Sequence, residues 1–236
     1  MLEIKIKPRK ITFFFLALVT CLTMIHGLLL FFFFHYNDPK ILDFTLWFDL
    51  DIERNIPSFY SSGAILICAL LFLILGYLEK NTGRSRFYWI GLALIFFFLS
   101  MDEAFELHEG LGDLTENYIQ ATGWLYFPWV IPYGFMTLVF TLLYARFILS
   151  LPAKTGGLFT LSGSMYLLGA VVLDMLGGRE AEQHGFDSLK YCTLYTLEEF
   201  LEMLAIVVLI YAILSYIYKK FGYISITLQV KDGASG

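Results

Sequence analysis

Six stretches of about 20 mostly apolar residues follow one another along this chain, and few folds tolerate that pattern in water. About 20 such residues are what an α-helix needs to cross the hydrocarbon core of a bilayer. The stretches run over 11–34, 61–78, 87–109, 129–150, 157–176 and 193–218. The third and sixth reach that length only if their acidic ends count as helix. At 58% hydrophobic residues and a mean hydropathy of +0.69, the chain is far more apolar than a soluble domain. The expectation is an all-α polytopic membrane protein: a single membrane domain over residues 1–236 with six transmembrane helices. The basic stretch Lys5 to Lys10 resembles the start of a signal peptide. The apolar run behind it is too long for one and lacks a small-residue cleavage site, so it is taken as a retained first span.

The distribution of lysine and arginine orients the spans. With the N-terminus inside, the cytoplasmic segments hold Lys5, Lys7, Arg9, Lys10, Lys80, Arg84, Arg86, Arg146, Lys154, Lys219, Lys220 and Lys231. The outer segments hold only Lys40, Arg54, Arg179 and Lys190. Both termini are therefore expected in the cytoplasm, with 219–236 as a cytoplasmic tail. The outer loop 35–60 mixes Leu46, Trp47 and Phe48 with Asp43, Asp49 and Asp51. Such a segment suits the membrane surface or a lid over the outer face. Pro57 suits a helix start, with Ser58, Ser61 or Ser62 as caps. Gly110-Leu111-Gly112 and Gly177-Gly178 are expected to stop the third and fifth spans.

Against this apolar background two acidic stretches stand out: Ser100-Met101-Asp102-Glu103-Ala104-Phe105-Glu106-Leu107-His108-Glu109 and Glu198-Glu199-Phe200-Leu201-Glu202. At 1.5 Å per residue, Asp102 and Glu103 lie roughly 22–24 Å from the cytoplasmic start of their helix, and Glu106 roughly 28 Å. Glu202 and Glu199 lie about 24 and 28 Å up the last helix, and Asp174 about 25 Å up the fifth. Three helices thus place acids in one layer, in the outer third of a core about 30 Å thick. On a regular helix Asp102, Glu106 and Glu109 share a face, Glu103 lies beside it, and His108 points to the far side. Glu198, Glu199 and Glu202 share a face of the last helix. The third and sixth spans are expected to touch, with Glu106 opposite Glu202.

Charged groups at membrane depth usually face a protein interior or a watery cavity. Crowded carboxylates must share protons or bind a cation. Facing carboxylate stripes are how helix bundles build metal sites, although the Glu-x-x-His of ferritin-like proteins is absent. The expected ligands are Asp102, Glu103, Glu106, Glu199 and Glu202. His108, Glu109, Asp174 and Glu198 are second choices, and Arg54 is a counter-ion. The donor set suits Mn, Fe, Zn or Ca. The competing structural explanation is that span-end acids simply face water or headgroups. It accounts for Glu198 and Glu199 at a helix N-terminus, but not for Asp102 to Glu109 at the unfavourable C-terminal end.

The function expected from this is a metal-binding membrane protein, with metal-dependent catalysis as its extension. A proton or divalent-cation transporter and an accessory subunit of a larger membrane complex are the alternatives. A net charge of −5 gives no basic surface for nucleic acid. No organic cofactor motif, phosphate loop or nucleophile is present. Cys21, Cys68 and Cys192 form no CxxC and suit buried thiols. His26, alone in the first span, suits a satisfied core polar group. Partners are membrane lipids, with room for a membrane-protein partner or a homo-oligomer.

The Ser-x-Asp-Glu…His-Glu segment at 100–109, with Asn55-Ile56-Pro57-Ser58-Phe59-Tyr60-Ser61-Ser62, resembles a pattern in uncharacterised bacterial multi-span membrane proteins. The resemblance covers some 20 residues and the span layout. It implies no activity; together with the lysine and arginine bias, the expected location is a bacterial cytoplasmic or internal membrane with the acidic face outside. The alkaline-ceramidase type of membrane zinc hydrolase requires an HxxxH pair, which this chain lacks.

Overall fold

The computed structural model describes residues 2–5, 7–36, 44–79, 83–222 and 225–228. Among the described residues, six helices are long and apolar enough to cross a membrane: Pro8–Tyr36, Ile56–Leu78, Ser85–Phe105, Val130–Ser150, Ala153–His184 and Leu189–Phe221. Here α1 is Pro8–Tyr36, α2 Ile56–Leu78, α3 Arg84–Phe105, α4 the short Leu107–Glu116, and α5 Val130–Ser150. The fifth long helix divides into α6 (Ala153–Leu167), a π-helical turn (Leu168–Leu173) and α7 (Asp174–His184), and Leu189–Phe221 is α8. Gly177 and Gly178 lie inside α7, and Gly110 and Gly112 inside α4, so neither pair stops a helix. Neighbouring contacts outweigh the weak helix propensity of glycine.

Two short strands modify the all-α expectation. Leu2–Lys5 (β1) pairs antiparallel with Ser225–Leu228 (β2), so part of the tail joins the N-terminal segment. Lys40, Asp43, Lys80 and Lys231, used above for topology or the loop, lie outside the described residues.

The last helix is the axis of the bundle. In α8 the most apolar window is 61% buried, against 11% in α5. Ala205, Ile210 and Ile213 are fully enclosed or nearly so. α2 packs along α3, and α8 receives α1, α2 and α6 on its flanks. The backbones of α3 and α8 stay apart, and the two helices touch through longer side chains, as where Trp89 packs against Tyr216 at 5.6 Å between ring centroids. The core is built from Trp89, Phe72, Phe159 and Phe147 around α8. Its outer faces carry exposed Phe13, Phe14, Leu142 and Leu149. Cys68 and Cys192 are buried, but Cys21 is exposed, on the outward face of α1.

In lipid, helices associate through close packing and interhelical hydrogen bonds rather than the hydrophobic effect. Both devices are present. A Cβ on Gly76 would come within 2.8 Å of Ile90, so glycine sets the α2–α3 approach. Ser62 Oγ donates to the Ser100 carbonyl (2.8 Å) and Ser100 Oγ to the Ser62 carbonyl (2.9 Å), and Ser162 Oγ donates to the Ala205 carbonyl (2.7 Å).

The start of α2 is fixed by a reciprocal cap. Ser58 N donates to Asn55 Oδ1 (3.2 Å) and Asn55 N to Ser58 Oγ (3.1 Å). Asn55 is thus the cap, and Ser58 completes its box instead of capping. At the opposite end Glu79 is 2% exposed and accepts from Ser85 Oγ (2.6 Å), Tyr216 OH (2.8 Å) and Lys220 Nζ (2.6 Å). These bonds join the turn between α2 and α3 to the end of α8. Burial opposes ionisation of Glu79, yet the Lys220, Ser85 and Tyr216 bonds and the Lys220 charge prevail, and its carboxyl is held down at about 2.

Candidate functional site

The acidic stretch does not continue as one helix. α3 ends at Phe105, and Glu106 takes a left-handed conformation with φ 57° before α4 begins. Arg54 is left-handed too, with φ 59°, and its guanidinium meets Glu106 at 2.8 Å. Left-handed geometry is costly for residues other than glycine and persists where neighbours enforce it. The Arg54 counter-ion expected from the sequence therefore has a partner, and it is Glu106. Glu106 does not face Glu202, because the break turns its side chain toward the 44–55 segment.

The same break brings His108 back from the far side of the helix. Its backbone N–H donates to Asp102 Oδ1 at 2.7 Å, and its ring Nδ1 lies 3.4 Å from that oxygen. Tyr133 OH, from α5, donates to Asp102 Oδ1 at 2.7 Å. On the other side His108 Nε2 lies 3.3 Å from Glu53 Oε1. Trp129 and Tyr133 pack edge-on against the ring. The result is a chain Glu53–His108–Asp102–Tyr133 from the 44–55 segment into the bundle. Burial lowers the pKa of His108, but the Asp102 bond and the Glu53, Asp102 and Glu103 charges outweigh it and carry it to about 9. Burial raises Glu53, His108 pulls it down, and Glu103, Glu106 and Glu109 push it up again, to about 8.

Glu103 is the residue of α3 that faces α8. It lines a cavity of about 10 Å³ together with Tyr60, Ser61, Tyr166, Glu202 and Met203. That volume holds about one water molecule. Tyr166 stands beside Glu202 on that cavity. Glu202 also needs the small residue opposite it: a Cβ on Gly169 would lie 2.8 Å from Glu202 Cγ and 3.0 Å from the Glu198 carbonyl. Gly169 belongs to the π-helical turn, a distortion frequent at functional sites.

The charges of the layer act on one another across these elements. Glu202 feels Glu103 and Asp174, and Glu199 feels Glu202, Glu103, Glu198 and Glu53. Glu198 feels Asp174, Glu202 and Asp51. Asp102 and Asp174 are deeply buried at 7% and 8% exposure, while Glu103, Glu198, Glu199 and Glu202 are partly buried. Glu109 is exposed in the first turn of α4. Among the described residues, no three His, Cys, Asp or Glu side chains converge closely enough to hold a metal ion as they stand.

The 44–55 segment reaches α1 through Leu50, α8 through Asp51 and the turn into α4 through Glu53 and Arg54. Leu50 N donates to His26 Nδ1 (3.3 Å) on α1, whose Nε2 bonds Thr196 Oγ1 (3.1 Å) on α8. His26 is fully buried and satisfied. Asp51 Oδ1 accepts from Tyr191 OH at 2.8 Å. Burial raises Asp51 against the opposing Tyr191 bond, and the Asp49 and Glu109 charges add to the rise, to about 6. Sequence reasoning missed Asp51, Glu53, Tyr133 and Tyr166 as site residues. For the first two the signal was present, since both stand just before the Asn-Ile-Pro helix start. No spacing marks the tyrosines, which the packing of α5 and α6 brings in.

The fold and site thus define a bundle with six membrane-length helices and a carboxylate-and-histidine layer near one end. The chain belongs to the family described as Domain of unknown function (DUF8692), whose model matches residues 12–217. That membership carries no activity with it. Neither the curated proteins nor the solved structures contain a match.

Proposed function

We propose that this is an integral membrane protein that binds a cation in its carboxylate layer, with a divalent metal as the resident ion. The observation that supports it most is the pairing of Glu103 from α3 with Glu202 from α8 on a cavity with room for one small particle. His108 is the cationic neighbour of five acids there, Glu53, Asp102, Glu103, Asp174 and Glu202, and Glu198 and Glu199 interact with this group. Carboxylates so close cannot all stay charged without protons or a cation. Glu103, Glu199 and Glu202 would hold the ion after side-chain rotation, and Tyr166 would orient Glu202. Oxygen donors with a nearby imidazole suit Mn, Fe or Ca, with Zn next. Glu106 drops out of the ligand set because Arg54 holds it. As an enzyme, the protein would use the metal to activate water or dioxygen toward a lipid or small apolar substrate. We place the acidic end on the extracytoplasmic side of a bacterial membrane, following the lysine and arginine bias.

Metal analysis of the detergent-purified full chain, before and after reloading with Mn, Fe, Zn and Ca, tests the reading. Near-stoichiometric metal in the wild type, lost in Glu103→Gln and Glu202→Gln, supports it. Clearly substoichiometric metal after every reloading refutes it.

One observation favours proton transfer as a second reading: the chain Glu53–His108–Asp102–Tyr133 links half-buried groups through the buried carboxyl of Asp102. Proton flux into proteoliposomes that disappears in His108→Ala would support this alternative. Flux equal to that of empty vesicles refutes it.

A further inference from the structure

The inner half of α8 is enclosed on every side but one. From Ala205 to Ile217 all its residues are buried except Val208, Tyr211 and Ser215, and Leu204 and Leu201 continue that half-buried row toward the acidic layer. Spacings of three and four keep the five on one face of the helix. α1 and α6 stand on either side of this face. Ser162 of α6 bonds the Ala205 carbonyl on one flank, and Val19 of α1 packs in one cluster with Val207 on the other. Both helices pack along α8 without packing on each other, which leaves a groove between them with the row as its floor. From Leu201 to Ser215 the floor is roughly 20 Å long. That is more than half of a hydrocarbon core about 30 Å thick.

The floor is apolar up to its basic end, where Tyr211 and Ser215 take over. Lys154, in the first turn of α6, holds its ammonium 5.9 Å from the centre of the Tyr211 ring and so leans over the groove. Leu158 and Leu161 follow Lys154 at helical spacing along the same flank of α6. On the opposite wall, Ile11 of α1 packs on the cluster shared by α2 and α8. Arg9, two residues earlier and about 160° round the helix, lies on the flank away from α2, which is the groove side. Both cations are exposed. Arg54, Lys190 and Lys220 are each paired with an acid, whereas among the described residues Lys154 and Arg9 have no acid within ion-pair distance. Glu79, the buried acid of this end, is taken by Lys220.

We infer that this groove binds one anionic phospholipid, its phosphate between Lys154 and Arg9 beside Tyr211 and an acyl chain along Val208, Leu204 and Leu201. The inference rests on the reading of the chain as an integral membrane protein and is independent of the metal layer at the other end. Two cations without acids call for a negative headgroup, as basic pockets between membrane helices do. A zwitterionic headgroup would bring an ammonium that finds no free carboxylate among the described residues there. The apolar floor calls for a hydrocarbon chain attached to the phosphate.

Native mass spectrometry of the delipidated full chain in detergent, titrated with phosphatidylglycerol and separately with phosphatidylcholine, tests this. The first phosphatidylglycerol should bind at least about tenfold more tightly than phosphatidylcholine. Lys154→Gln and Arg9→Gln should each weaken it about fivefold. Arg146→Gln removes an equally exposed charge from α5, which does not border the groove, and should leave binding unchanged. In a second measurement, chain-brominated phosphatidylglycerol should quench the fluorescence added by Leu204→Trp, and Lys154→Gln should reduce that quenching. Equal affinity for the two lipids, or the same loss in Arg146→Gln as in Lys154→Gln, overturns the site. Recovery of the protein outside the membrane fraction overturns the membrane reading beneath it as well.

Discussion

Replacing Lys220 by methionine should destabilise the bundle more than replacing Glu79 by glutamine, although both remove the same ion pair. The asymmetry comes from exposure. The Glu79 side chain is 1% exposed and that of Lys220 40%. Without Lys220, an enclosed carboxylate loses its ammonium, while Ser85 and Tyr216 still donate to it. Without Glu79, the ammonium turns to water. The fall of the Glu79 pKa from 4.5 to about 2 corresponds to about 3 kcal/mol at 1.36 kcal/mol per pH unit. Screening of the half-exposed ammonium reduces this to about 2 kcal/mol for Glu79→Gln. Lys220→Met should reach about 3 kcal/mol, since it takes the ammonium away from an enclosed carboxylate. For a chain of this length that is a fall in Tm of about 6–12 °C. The double variant should cost clearly less than the sum, because the pair is removed together. The folded carboxyl titrates below the unfolded one. Its contribution is therefore complete above about pH 4.5 and fades as pH falls toward 2. Thermal unfolding in detergent at several pH values measures all of this. The reasoning fails if Glu79→Gln costs as much as Lys220→Met, or if the difference from wild type vanishes between pH 7 and 5.

Glu106→Gly should be neutral or stabilising by up to about 1 kcal/mol. It relieves left-handed backbone worth about 1–2 kcal/mol and loses an ion pair whose arginine is exposed. A drop in thermal stability, or loss of bound metal, would show that Glu106 does more than pair with Arg54. Gly169→Ala should destabilise by about 1–3 kcal/mol through overpacking against Glu202 and the Glu198 carbonyl, and it should weaken Mn²⁺ binding in titrations where the distant Gly157→Ala does not. In metal-free protein the 44–55 segment should loosen as pH rises from about 7 to 9. Folded His108 titrates near 9 against 6.5 unfolded, so its contribution is full below 6.5 and lost through 9; Glu53, protonated in the fold up to about 8, shifts stability the same way. Maleimide labelling of a cysteine at Trp47 that speeds up across that window supports this, and a flat profile refutes it. His26→Ala should raise the same labelling rate at every pH by freeing Leu50 N and Thr196.

How much of this was legible beforehand depends on the range of the interaction involved. Six apolar runs predict six long helices because burial of the backbone in hydrocarbon leaves little else, and that prediction needs no knowledge of neighbours. The acidic stretches were equally visible, and their shared depth follows from helix rise alone. Direction around the helix was another matter. The expected Glu106–Glu202 pairing assumed a regular helix through Glu109, and the left-handed turn at Glu106 moved His108 onto Asp102 and left Glu103 toward Glu202. Nothing local announces that turn, because Glu is a good helix former and the two residues that adopt the strained geometry stabilise each other across more than 50 positions.

The sequence by itself determined the class of architecture, the level of the acids along their helices and the helix start at Pro57, but not that Asn55 caps it. Only the tertiary structure decided which acids share a cavity and which has a counter-ion. It also supplied Tyr133, Tyr166 and the 44–55 segment. The physical reason is that periodicity and hydropathy are properties of neighbours along the chain. The charge state and partners of a carboxylate are set by groups within a few ångströms in space, and in this fold those come from α2, α5, α6, α7 and α8 at once.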